Sequence, residues 1–346
     1  QTADRFEEVC PQENIYVVTS EDYVDLVLEQ LPFLRKEQVL AEPIRRNTAP
    51  CVAYASYKIA KRNPDANIVV APADHIILKE KAFESKILTA LEASAKGDVL
   101  VTLGISPTRP DTGYGYIQYT QNEGEVKKVK SFREKPNLVV AQEFLASGEY
   151  VWNAGIFIWT AKSICQAFQK HSPRLHEIFE AGNNAYFTAN EEQFVHNAYQ
   201  SCESISIDYA IMEISDNVYV VLGDIGWSDL GTWKSLYEVS EKDELGNVID
   251  GNTMLYDVKD SIIKTPQGKL VVIKGLDNLE KRLLKAEKLI HFEKLERITE
   301  IQNQLFPNGS LQERKSNFSV FYSQTFIKEI ISHSDPFQTS FKLIKI

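Results

Sequence analysis

The sequence predicts an α/β protein, a sheet flanked by helices, on three observations. Short apolar runs alternate with amphipathic stretches of about 10 to 15 residues, the pattern of βαβ units. The runs are rich in Val and Ile and end in Asp, Asn, Pro or Gly, as buried strands do. At 346 residues and 43% hydrophobic, the chain is long enough for one large domain with a real core plus an accessory region.

Each element follows in order. The opening QTADRFEEVCP reads as an amphipathic helix, with Ala3, Phe6 and Val9 on one face. NIYVVTS, 14–20, is a short strand, followed by the helical EDYVDLVLEQL. QVLAEP, 38–43, is a strand, followed by the helix NTAPCVAYASYKIAKR. NIVVAPAD, the helix KAFESKILTALEASAK closed by Gly97, and the strand DVLVTLGI complete the alternation. Such units imply a parallel sheet with ligand chemistry at the carboxyl ends of its strands. From Gly115 to Val221 the strands lengthen and mix: GYIQYT, VKKVKSFREKP, VWNAGIFIWT and VYVVLGDIGW. Residues 1–240 therefore form a catalytic-sized domain. Residues 241–278 read as short strands with Gly/Asn/Asp turns, and 279–346 as a tail, first a Lys/Glu-rich helix and then an irregular segment.

Composition narrows the partners. A net charge of −10 with no basic patch among aromatics argues against nucleic acid. No apolar run approaches the ~20 residues of a membrane span, and no signal peptide opens the chain. Four scattered cysteines without a CxxC pair argue against structural zinc or a disulfide scaffold and fit a reducing cytoplasm. An acidic protein that binds phosphates needs a metal ion between them.

Several motifs carry candidate chemistry, each with a bland alternative. Asp74, at the end of NIVVAPAD, either caps the next helix or meets a ligand. Asp229 in GDIGWSDLGTW repeats the arrangement, and two strand-end carboxylates can together hold one magnesium ion. In EPIRRNTAP, Asn47 or Thr48 caps a helix, while Glu42 and Pro43 lie where a base or ribose would rest; a carboxylate suits a guanine edge. Gly113 and Gly115 let a ligand approach the backbone, or simply make a turn. Glu134 and Lys135 in FREKPN suit sugar hydroxyls and a phosphate, or form a surface ion pair. Asn153, buried among aromatics, and Asp208, in an apolar segment, need partners from backbone or ligand. His75 reads as a supporting or structural residue rather than a metal ligand.

The series EPxxRNTAP, PADHII, PTRPDTGYGYI, FREKP, WNAGIFIW, SIDYAIME and GWSDLGTW resembles the bacterial mannose-1-phosphate guanylyltransferases, across about residues 1–278. That resemblance implies a Rossmann-like mixed sheet flanked by helices, the nucleotide-diphospho-sugar transferase fold, with a small C-terminal β-rich and helical region. It implies transfer of GMP from GTP to α-D-mannose 1-phosphate by direct in-line attack, with Mg2+ as cofactor and no covalent intermediate. Asp74 and Asp229 would be the metal ligands and, with Lys135, the catalytic set. Glu42, Pro43, Asn47 and Thr48 would line the guanosine. Gly115, Glu134, Lys135, Asn153 and Asp208 would hold the sugar phosphate. GTP and mannose 1-phosphate are the expected partners, a homodimer is compatible, and the cytoplasm is the expected compartment.

Two departures qualify the expectation. Relatives begin with a strand and a GGxGTRLxPLS loop that nothing here matches, so about 40 residues, one strand–loop–helix unit with its connection, are expected to be missing. The tail beyond Asn278 resembles nothing placed, as in a truncated or frame-shifted copy. The chain is therefore expected to be weakly active. The alternative is an inactive relative that binds sugar nucleotide or a partner subunit.

Overall fold

Alternation along the central strands decides the architecture of the computed structural model, which describes residues 2–231, 233–265, 268 and 270–275, and the backbone of 284–285 and 318–322. Successive residues of one strand point to opposite faces of a sheet. Here both faces are apolar. Leu100, Phe157, Trp159 and Val220 enter one core; Val101, Ile158 and Val221 enter the other. Strands covered on both sides read as continuous apolar runs, which is why they were legible as such.

The chain divides into two units at Asp229/Leu230, ahead of the 240/241 boundary expected from sequence texture. In the first unit, β1 (Val17–Ser20) pairs in parallel with β2 (Val39–Glu42), with α1 (Val24–Gln30) between them in sequence. Next come α2 (Thr48–Arg62), β3 (Asn67–Val70), the two-residue β4 (Ile76–Ile77), α3 (Glu80–Lys96) and β5 (Leu100–Ile105). They are followed by β6 (Tyr116–Tyr119), β7 (Val126–Arg133), α4 (Leu138–Ser147), β8 (Tyr150–Thr160), α5 (Ala161–His171), α6 (Pro173–Glu180) and α7 (Glu191–Ser201). A π-helical turn (Asp208–Met212), β9 (Val218–Leu222) and β10 (Trp227–Ser228) close the unit.

The six-stranded sheet runs β3-β8-β5-β9-β7-β6, and β8 also pairs at its start with β6. Its described pairings are antiparallel except β5 with β9. The βαβ reading expected a parallel sheet. The sheet is mixed because β8, between β3 and β5, and β7, between β9 and β6, both run antiparallel to their neighbours, and an apolar run carries no mark of strand direction. The opening segment also differs. Only Asp4–Phe6 forms a short 3-10 helix, yet Phe6 and Val9 pack as expected, Phe6 edge-on to Phe83 at 5.5 Å.

The second unit holds α8 (Trp233–Val239) and two parallel ladders. β11 (Val248–Asp250), β13 (Ile262–Lys264) and β15 (Leu284–Lys285) form one; β12 (Asn252–Tyr256), β14 (Leu270–Lys274) and β16 (Phe318–Tyr322) form the other. Buried Asn247 holds the turns together, donating to Val258 O at 2.8 Å and accepting from Ser261 N. Leu284–Lys285 is strand where a helix was expected. The remainder of the tail reading, over 279–346, falls outside the described residues apart from β16.

Candidate active site

The shortest ladder in the first unit has the largest consequence for the site. β4 and β10 pair antiparallel, Trp227 opposite Ile77 and Ser228 opposite Ile76. His75 and Asp74 precede β4 and Asp229 follows β10, so both carboxylates leave the ladder at the same end. On one side, Thr2 donates its hydroxyl to Ala73 O at 2.9 Å and steadies the turn before Asp74. On the other, Tyr114 donates its hydroxyl to Asp229 Oδ1 at 2.7 Å.

Aromatic rings bridge the two. Trp227 donates its indole N–H to His75 Nδ1 at 3.1 Å, which places the proton of a neutral imidazole on Nε2, 4.0 Å from Asp74 Oδ1. Tyr114 packs edge-on against Trp227 and Trp152, with centroids 5.1 and 5.0 Å away. Arg109 donates to the Tyr114 hydroxyl at 3.3 Å, pairs with Asp111 at 2.9 Å and lies over the Trp152 ring.

A second, more buried cluster gathers the expected sugar-side residues. β8 bulges where it passes β5: Thr102 faces Phe157 but Gly104 faces Asn153, and Gly155 takes φ +68°. A bulge re-aims a side chain. Asn153 Oδ1 accepts from the Thr102 hydroxyl (2.8 Å) and the Gly155 N–H (3.1 Å), so its amide nitrogen donates to Asp208 Oδ1 at 3.1 Å. The network thus assigns the amide orientation. Asn153 N–H also bonds Gly115 O at 2.8 Å. Glu134, only 9% exposed, pairs with Lys135 Nζ at 3.1 Å. Burial first, and then the Asp208 charge, push Glu134 up to about 7. Burial likewise raises Asp208. Burial works against the Lys135 charge, but Glu134 beside it holds the ammonium above its ordinary value.

The base-side candidates stand on β2 and α2. Glu42 ends β2 and accepts from the buried Tyr199 hydroxyl at 2.9 Å; burial raises its pKa against the pull of Tyr199 and Arg45. Pro43 follows, half-buried. Asn47 is the N-cap of α2, in a left-handed conformation. The Thr48 hydroxyl accepts from Ile207 N–H at 2.9 Å, tying α2 to the residue before Asp208. Tyr114, Trp227, Arg109, Thr102 and Glu213 were missed as individual site residues, although all five fall in the quoted stretches DVLVTLGI, PTRPDTGYGYI, GWSDLGTW and SIDYAIME. Their roles come from contacts across the sheet, which local sequence does not show.

Among the described residues no group of three or more His, Cys, Asp or Glu is arranged to hold a metal. The donor set at this end is a pair of carboxylates, hard oxygen ligands of the kind magnesium takes one or two at a time alongside substrate phosphates. No helix among the described residues is long and apolar enough to cross a membrane.

Strand-end carboxylates beside a buried polar cluster define an α/β scaffold that meets its ligand at the edge of the sheet. A profile of the nucleotidyl transferase family matches residues 9–245, and the chain belongs to that family. It is 38% identical over 272 residues to a mannose-1-phosphate guanylyltransferase of Klebsiella pneumoniae, covering 76% of this chain and 57% of that protein. It is 38% identical over 270 residues to the xanthan biosynthesis protein XanB of Xanthomonas campestris pv. campestris strain B100, covering 76% and 56%. The chain therefore spans little more than half the length of these relatives. A crystal structure described as a mannose-1-phosphate geranyltransferase from Thermus thermophilus superposes with a TM-score of 0.70 at 31% identity, covering 80% of this chain and 78% of that one. A second profile, the C-terminal coiled-coil domain of the bacillithiol biosynthesis protein BshC, matches residues 266–346. It takes in the last part of the 1–278 resemblance and the tail over 279–346 that the sequence reading left unplaced.

Proposed function

We propose that the first unit transfers GMP from GTP to α-D-mannose 1-phosphate, giving GDP-mannose and pyrophosphate. The observation that carries this reading is the β4–β10 ladder, which releases Asp74 and Asp229 at one end. The names of the relatives supply the substrate class. In the reaction a phosphate oxygen of the sugar phosphate bonds to the α-phosphorus of GTP. The bond from that phosphorus to the bridging oxygen breaks, and pyrophosphate leaves with the electron pair.

Asp74 and Asp229 would hold Mg2+, which when bound neutralises charge on the phosphates. Tyr114 holds the Asp229 carboxylate before substrate arrives, while Trp227 orients His75 so that its Nε2 stands beside Asp74. Lys135 has three N–H donors. One faces Glu134, and the others can take the sugar phosphate. Glu134, as a carboxylate, accepts sugar hydroxyls, while the Asn153 and Gly115 backbones hold the pocket wall. Glu42 and Asn47 would meet the guanosine. No nucleophile–base pair is required, because the attacking group is already an anion.

The test is magnesium-dependent pyrophosphate release from mannose 1-phosphate with GTP, ATP, UTP or dTTP. Turnover with GTP that falls at least about a hundredfold in Asp229→Asn is expected, since charge neutralisation at the phosphates contributes several kcal/mol. Silence with all four nucleotides, with GDP-mannose still bound, would replace the enzyme reading with that of a sugar-nucleotide-binding protein.

A further inference from the structure

The π turn does more than carry Asp208. Within it, the N–H of Glu213 bonds back to the carbonyl of Asp208 at 2.9 Å, five residues earlier. In an α-helix residues five apart point to different faces, whereas the wider i→i+5 turn brings them onto one. Asp208 uses that face to reach Asn153 at 3.1 Å. Glu213 uses it to accept the backbone N–H of Glu134, Oε1 to N 2.7 Å.

That amide lies in the turn between β7 and α4, where no ladder pairs it. The next residue, Lys135, has φ +45°, a left-handed conformation that a non-glycine side chain keeps only when its surroundings impose it. A bond from a backbone N–H to a carboxylate is among the stronger hydrogen bonds available to impose it.

We propose that Glu213 is a positioning residue: its carboxylate, delivered by the π turn, pins the Glu134–Lys135 turn so that both side chains face the sugar phosphate. The inference rests on reading this cluster as the mannose 1-phosphate site. Charge also enters. Glu134 is faced by Asp208, Lys135 and Glu213, and Lys135 by Glu134, Asp208 and Tyr209. Glu213 therefore fixes the geometry of the turn and adds one negative charge beside Glu134.

The experiment compares the full 346-residue chain with Glu213→Ala and Glu213→Gln. Hydrogen exchange of the Glu134 amide is read without substrate, and steady-state constants are read with GTP and mannose 1-phosphate. In Glu213→Ala the amide should exchange about tenfold faster and the KM for mannose 1-phosphate should rise about tenfold, with the KM for GTP within about twofold. Glu213→Gln keeps a carbonyl acceptor and should recover most of the protection and of the KM. It removes a charge that raises Glu134, so the pH at which that KM breaks should move down. Equal exchange in wild type and Glu213→Ala would overturn the proposal, as would equal rises in both KM values or a Gln variant no better than Ala. If wild type does not turn over these substrates, the functional reading fails, and the exchange comparison alone still decides whether Glu213 pins the turn.

Discussion

Gly115 has no room for a methyl group. A Cβ built there would lie 2.6 Å from Oε2 of Glu134 and 3.3 Å from the Cβ of Asn153. A flexible surface side chain could swing away, but Glu134 is buried and tied to Lys135. The Gly115→Ala methyl would therefore displace the Glu134 carboxylate by a fraction of an ångström, a scale on which bound substrates lose alignment. We expect its KM for mannose 1-phosphate to rise about ten- to a hundredfold with the fold intact. Steady-state kinetics with circular dichroism would show it; an unchanged KM would mean that Glu134 does not contact the sugar. From sequence alone this glycine offers a turn or a close approach for a ligand and does not reveal Glu134, because the atom it makes room for comes from the turn after β7. The shared end of Asp74 and Asp229 was suggested for the opposite reason: each stands between an apolar strand and the next helix, a local signal.

Elements repeat one device at two places. Glu213 holds a backbone N–H beside left-handed Lys135. Glu191, at the start of α7, holds the N–H of left-handed Phe187 at 2.7 Å. The second case also joins two helices. Lys58 of α2, its side chain 5% exposed, reaches Glu191 Oε1 at 2.6 Å, and the Tyr54 hydroxyl donates to the same oxygen at 2.6 Å. Removing one member of a buried pair strands the other, so Glu191→Ala should cost about 3–5 kcal/mol. Replacing both, Lys58→Met with Glu191→Leu, should recover part of that loss, because no charge is then left unpaired. Urea midpoints of the variants decide it, and a double variant no better than Glu191→Ala would show that the pinned turn outweighs the charge. In sequence, nothing singled out the residues around Glu191, and SISIDYAIME shows no sign of a π turn; tertiary partners give both their roles. The helices α2 and α3, long and amphipathic, were legible nearly to the residue.

Over the whole molecule, the order of motifs was far more legible than the direction of strands, because strand ends are marked by turn residues while pairing partners lie far away in sequence. The same burial that hides pairing from sequence also sets how the molecule responds to pH. Glu42, Glu134 and Asp208 all stand above the ordinary carboxylate range because burial penalises their charge. The folded state then keeps protons that the unfolded chain releases, so stability falls with rising pH. For Glu134 the contribution is full below its unfolded pKa, roughly 4.3. It is lost as pH rises through its folded value of about 7. Carboxylates held down by basic partners, such as Glu125 beside Lys86 and Asp216 beside Lys170, lose their contribution only in more acid solution. His171, lowered by burial, acts in the opposite sense as pH falls below roughly 6.5. The bare profile therefore mixes signs, and the informative comparison is with Glu134→Gln, which cannot titrate. Thermal midpoints at one scan rate between pH 6 and 8 should fall for wild type as pH rises toward about 7 and level off above it, and stay flatter throughout for Glu134→Gln. Parallel curves would mean that Glu134 is ionised across this range, and that the sugar side of the site carries its full negative charge before any substrate binds.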